Sequence, residues 1–183
     1  MGKPVAFILG SALCLHDDFK AALSSFQPSS IIAVNEAGRD YEGVLDHWVS
    51  MHPPLLIKWI EERRDWDVPL FTGTVWTPRH ITLPKGLIAS RAESWGGSSG
   101  LLAVTVALGL GFEKIILCGV PMERLGAHYF NKDRPWNDAG IYKASWKRNL
   151  DKIAPTVRSM SGWTKELLGA PSLEWVNASI PVK

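Results

Sequence analysis

Three short runs in this chain are apolar without interruption, and they constrain its fold more than any other feature. Val5-Ala-Phe-Ile-Leu9 ends in Gly10-Ser11, Ile31-Ile-Ala-Val34 ends at Asn35, and Lys114-Ile-Ile-Leu-Cys-Gly-Val120 ends at Pro121. A strand with one wet face alternates apolar and polar residues, whereas a strand buried on both faces does not. Helical patterns separate the runs: residues 15–26 place Phe19, Ala22, Leu23 and Phe26 at helical spacing, and residues 101–110 are apolar nearly all round. Gly111 stands where a helix of that kind ends. Strands alternating with helices predict an α/β fold, with a mostly parallel sheet covered on both faces in three α/β/α layers.

The remaining elements follow the same alternation. Residues 47–51 read as a third strand, 55–64 as a helix and 69–72 as a short fourth strand. Residues 73–94, with Pro78, Pro84 and Gly86, read as a loop holding one or two edge strands. Residues 142–153 are expected to be one helix, 157–160 a last strand and 164–168 a last helix. At 183 residues, with 46% hydrophobic and 21% charged residues, one domain spanning 1–183 is expected.

A formal charge of +2 lacks the excess of a dedicated nucleic-acid binder, so nucleic acid is not an expected partner. Met1-Gly2-Lys3-Pro4 leads directly into the first strand without the apolar region of a signal peptide. No run approaches the roughly 18–20 apolar residues of a membrane span. Cys14 and Cys118 belong to no CxxC pair and read as buried free thiols. A cytoplasmic protein with no membrane partner is the expectation. The nine tryptophans follow no period and read as packing residues.

In a parallel sheet every strand's carboxyl end lies on one edge, where ligands bind near the topological switch point. Four separated motifs meet there on this reading. Gly10-Ser11 either holds a phosphate beside a helix N-terminus or makes a plain strand-to-helix turn. Asn35 either bonds a ribose hydroxyl or base edge, or caps its own turn. Gly96-Gly97-Ser98-Ser99-Gly100 offers backbone N–H groups and a helix dipole to a phosphate, or is a loop with a serine N-cap. It has no Walker lysine.

The fourth motif runs from Gly119 through Met122 to His128, Tyr129, Asn131, Lys132 and Arg134. There His128 is a candidate general base and Lys132 or Arg134 a clamp on a leaving phosphate, unless they are plain loop residues. His52 ends the third strand on the same edge, and His80 reads as a surface residue. No carboxylates stand at metal-ligand spacing, so any magnesium is expected to arrive on a nucleotide's phosphates.

Residues 8–15, 33–35, 98–111 and 114–120 together resemble two related groups, with the block from Ser98 to Val120 the most specific part. One comprises proteins similar to archaeal 6-hydroxymethylpterin diphosphokinase, the other the bacterial sialyltransferases of glycosyltransferase family 42. The resemblance implies a Rossmann-like nucleotide-binding domain. It implies a phosphate-side turn at Gly10 and Ser11, a nucleotide contact at Asn35 and a second Gly/Ser turn at Ser99 and Gly100. It also implies a catalytic histidine near His128.

Two positions depart from the pattern: Pro121 stands where the family has an acid, and His52 where many relatives have Asp. The expected function is that of a transferase-like protein that binds a nucleotide or nucleotide sugar and moves a glycosyl or diphosphate group. His128 and His52 are then the candidate catalytic residues. The alternative is a binding module that kept the nucleotide site and lost activity. A compact form without the sialyltransferases' helical lid would suit a phage or prophage gene.

Overall fold

The computed structural model describes residues 4–123 and 139–179. In chain order these form β1 (Val5–Leu9), α1 (Leu15–Ser25), β2 (Ser30–Val34), α2 (Ala37–Asp40), β3 (His47–Val49), α3 (Pro53–Arg64), β4 (Thr74–Thr77) and β5 (Ile88–Arg91). Then come α4 (Ser99–Gly109), β6 (Lys114–Cys118), α5 (Ala139–Arg148), α6 (Leu150–Ile153), β7 (Val157–Ser159), α7 (Gly162–Leu168) and α8 (Leu173–Asn177).

The seven strands make one sheet in the order β5-β4-β3-β2-β1-β6-β7, with every neighbouring pair parallel. Phe7 is in register with Ile31 on one side and Ile116 on the other. β1, β2 and β6 are buried at every position, which is why their sequences do not alternate. On one face Ala6, Ile8, Ile32, Val34, Ile115 and Leu117 pack under α4 and Trp146. On the other, Phe7, Leu9, Ala33, Trp48, Ile116 and Cys118 pack under α1 and α3. This is the expected Rossmann-like α/β architecture, and strand order reverses between β1 and β6.

Several elements differ from their sequence reading. Residues 69–72 are not a strand: Phe71 is buried edge-on against Trp48, with ring centres 5.6 Å apart, and the Pro69 carbonyl accepts from Arg63. Pairing starts only at Thr74, whose N–H donates to the Asp46 carbonyl at 3.0 Å. Residues 73–94 hold two strands, of which β5 is the edge and β4 is interior. The helix expected over 142–153 is broken at Asn149, whose side-chain amide donates to the carbonyls of Trp95 (3.2 Å) and Ser145 (2.8 Å). The helix expected from residue 101 already begins at Ser99, and α2 and α8 had no sequence counterpart. Among the described residues no helix is long and apolar enough to cross a membrane.

Candidate functional site

The topology delivers the described parts of the four motifs to the carboxyl edge of the sheet, but it uses them unequally. At the switch point the turns after β1 and β6 are packed directly on one another. Gly10 N–H donates to the Cys118 carbonyl at 2.8 Å and Ala12 N–H to the Gly119 carbonyl at 3.2 Å. A Cβ on Gly10 would overlap the Gly119 carbonyl oxygen, and one on Gly119, at φ 69°, would press on Leu15. The Ser11 hydroxyl donates to the Val34 carbonyl at 3.3 Å, tying the β1 turn to β2.

Asp18 completes this closure from α1. It is buried, and its Oδ2 accepts from Gly119 N–H at 2.9 Å and from the Ser161 hydroxyl at 2.6 Å. Burial pushes the Cys14 thiol up to about 11 and raises Cys118 further, so neither is a thiolate nucleophile near neutrality. Pro121 is buried against Gly162, and its carbonyl accepts from Thr164 N–H at 3.4 Å.

One step along the edge, the ends of β2, β3 and α4 are linked by a polar network. Asn35 sits in the left-handed region at φ 53°, which an asparagine tolerates better than most residues. The Trp48 indole N–H donates to its carbonyl at 2.7 Å, and Ser50 Oγ donates to its Oδ1 at 2.7 Å. Ser50 Oγ in turn accepts from His52 N–H at 2.9 Å, while Ser99 Oγ accepts from Met51 N–H at 3.0 Å. Asn35 is half-buried, and its side-chain NH2 has no partner among the described residues. The first-turn N–H groups of Ser99 and Gly100 likewise have no acceptor among them. No acidic residue lies in the first turn of α4, so its positive end is not neutralised there.

The glycines of the Gly/Ser loop answer to packing. A Cβ on Gly96 would overlap Ser145, one on Gly97 would lie 2.7 Å from the Tyr142 ring, and one on Gly100 would lie 3.1 Å from Val120. The loop is thus the seat on which α5 rests. Ser98 is the N-cap of α4: its Oγ accepts from Leu101 N–H at 3.1 Å and from the buried Trp146 indole at 3.2 Å. Ser98→Ala removes both bonds and is expected to lower stability by about 2 kcal/mol in urea denaturation, with Ser98→Thr retaining most of the difference.

Beside the ends of β1 and β2 lies a cavity of about 200 Å³, lined by apolar side chains such as Leu9, Leu15 and Phe19 together with His16, Tyr41 and the carboxylates Asp40 and Glu42. Burial, then the Asp46 charge, raises the Tyr41 phenol, which keeps it a neutral donor. Of the catalytic candidates, His52 is exposed and precedes α3 at this edge. His128, with Tyr129, Asn131, Lys132 and Arg134, lies outside the described residues. No group of three or more His, Cys, Asp or Glu that could hold a metal occurs among the described residues.

Sequence reasoning missed Ser50 and Asp18 as organisers of this edge. Asp18 was readable only as a charge suited to a helix start. Yet Leu15, Asp18 and Ala22 form the buried stripe of α1, and that spacing was the available signal. Comparison of the chain with family models, curated proteins and solved structures found no significant match.

Proposed function

We propose that this chain binds a nucleotide or nucleotide sugar at the carboxyl edge of its sheet and serves as a transferase-like protein, moving a glycosyl or diphosphate group. The observation that carries the reading is the convergence of Asn35 and the α4 N-terminus on the Ser50–His52 segment, with donors that have no partner among the described residues. The unpaired amide of Asn35 suits a ribose hydroxyl or base edge. The free N–H groups of Ser99 and Gly100, with the helix dipole behind them, suit a phosphate. The cavity beside the ends of β1 and β2, lined by apolar side chains with Tyr41, His16, Asp40 and Glu42, suits the uncharged, hydroxyl-bearing part of such a ligand.

A non-catalytic binding module is the second reading, and Pro121 favours it. Where the resemblance calls for an acid, this chain has a buried ring that packs the β6 end against Gly162.

A thermal-shift screen against nucleotides and nucleotide sugars, with and without magnesium, tests the binding. A ligand at 100 times its Kd stabilises by about 2.7 kcal/mol, which for a domain of this size is a rise in Tm of roughly 5–10 °C. Asn35→Ala is expected to abolish the rise. No shift with any nucleotide at millimolar concentration sinks the proposal. Product release from a bound donor, lost in His128→Ala, distinguishes the transferase from the module.

A further inference from the structure

The far end of the sheet carries a second concave site that the nucleotide reading does not use. A cavity of about 280 Å³ opens between β5 and the chain leaving β4, lined by Arg79, His80, Ile81, Ala89, Ser90 and Arg91. The backbone that presents the two arginines is held on both sides. Thr77, fully buried, donates its hydroxyl to the Arg79 carbonyl, and its own carbonyl accepts from Ala92 N–H at 2.9 Å. Arg91 is the registered cross-strand partner of Thr77, and Ile81 is buried just beyond Arg79. The backbone at both arginines is thereby held at one mouth, and their side chains are exposed there.

Their charges are not balanced by the protein described here. The cavity lining contains no carboxylate, and neither arginine has an acid within ion-pair distance among the described residues. Three other arginines have internal partners, whereas Arg64 and Arg148 are exposed in the same way as Arg79 and Arg91. Arg39 pairs with Asp40 and Glu62, Arg63 is wrapped in backbone carbonyls, and Arg158 donates to the carbonyls of Ala154 and Val157. Two cationic residues lining one cavity, with no acid in that lining, favour an anion there. Two planar forks, with an imidazole and a serine beside them, offer more donors than the two oxygens of a carboxylate can use; the terminal oxygens of a phosphate match them better. A volume of about 280 Å³ is roughly nine times a water's share of the liquid, room for a phosphate with a small group attached.

We propose that Arg79 and Arg91 form a second anion site, which takes the phosphate of a small phosphomonoester independently of the nucleotide site. Calorimetric titration of the full chain with glycerol 3-phosphate, inorganic phosphate and acetate, at fixed chloride, tests it. Glycerol 3-phosphate and phosphate are expected to bind and acetate to bind at least about tenfold more weakly. Arg79→Gln and Arg91→Gln, both at exposed positions, are each expected to weaken phosphate about tenfold while leaving the Tm of the free protein unchanged or slightly higher. Asn35→Ala is expected to leave this binding intact. Absence of binding at millimolar phosphate, or equal binding of acetate, overturns the proposal. So does binding that survives both arginine substitutions; if Asn35→Ala then abolishes it, the phosphate belongs to the nucleotide site.

Discussion

Arg63→Met is expected to lower the stability of this protein by about 3–5 kcal/mol, with a fall in Tm of roughly 10 °C or more. The side chain is 2% exposed, and its guanidinium donates to five main-chain carbonyls. Nη1 reaches Gly38 (2.8 Å), Arg39 (3.3 Å) and Tyr41, while Nη2 reaches Gly43 and Pro69, both at 3.0 Å. One side chain thus gathers α2, the segment after it and the loop after α3, none of which has a ladder of its own. Burial pushes the guanidinium's pKa down, so the charge is held at a real desolvation cost that the carbonyls offset in part, Nε being buried with no partner among the described residues. Methionine keeps the volume but leaves several carbonyls facing an apolar tip, and each unsatisfied group costs about 1–3 kcal/mol unless water enters. Arg63→Lys is expected to recover only part of the loss, because an ammonium is a point donor and cannot reach both sets of carbonyls at once. Urea unfolding of the three proteins checks the order. Equal stability of Arg63→Met and the parent would show that these segments hold themselves.

The Arg63 clamp marks the limit of what the chain's pattern discloses. In Glu61-Glu62-Arg63-Arg64 the charges read as a solvated helix end. Only the periodicity says otherwise: Leu56, Trp59, Ile60 and Arg63 fall on one stripe of α3, and all four are buried. β1, β2, β6 and α4 were legible because burial on both faces erases alternation from their sequences, and the parallel order followed from them. β5 was legible only as one of the one or two edge strands expected over 73–94, since three of its four positions are exposed and its bounds come from pairing with β4, a long-range fact. The carboxyl edge was legible as a location, because strand ends in a parallel sheet must converge. What its residues do there was legible only in part: a serine N-cap was one reading of the Gly/Ser loop, and Ser98 is that cap. Nothing in sequence marks Ser11 as tying two strands or Ser99 as holding the end of β3.

Gly10 brings the two levels into direct competition. Read as sequence, it is a residue small enough for a phosphate to approach; in the fold it is small because Gly119 lies against it. Gly10→Ala sets a methyl against the Gly119 carbonyl and 2.7 Å from Val120 Cγ2, so one of the two turns must move. Such movement strains the bonds from Gly10 N–H to Cys118 and from Ala12 N–H to Gly119, and through Gly119 the bond to Asp18. Overpacking of this kind with partial loss of those bonds is expected to lower stability by about 3 kcal/mol or more. Gly109→Ala is the matched control, because nothing lies within 4 Å of a Cβ there; at the end of α4 it is expected to raise stability by about 0.5–1 kcal/mol. The discriminating comparison is ligand binding under conditions where Gly10→Ala remains folded. If the nucleotide site lies at Asn35 and the α4 N-terminus, affinity falls only as far as the displaced turn disturbs Ser11 and its bond to Val34. If affinity collapses while the fold persists, the phosphate approaches Gly10 itself, and the closed turns seen here must open to admit it.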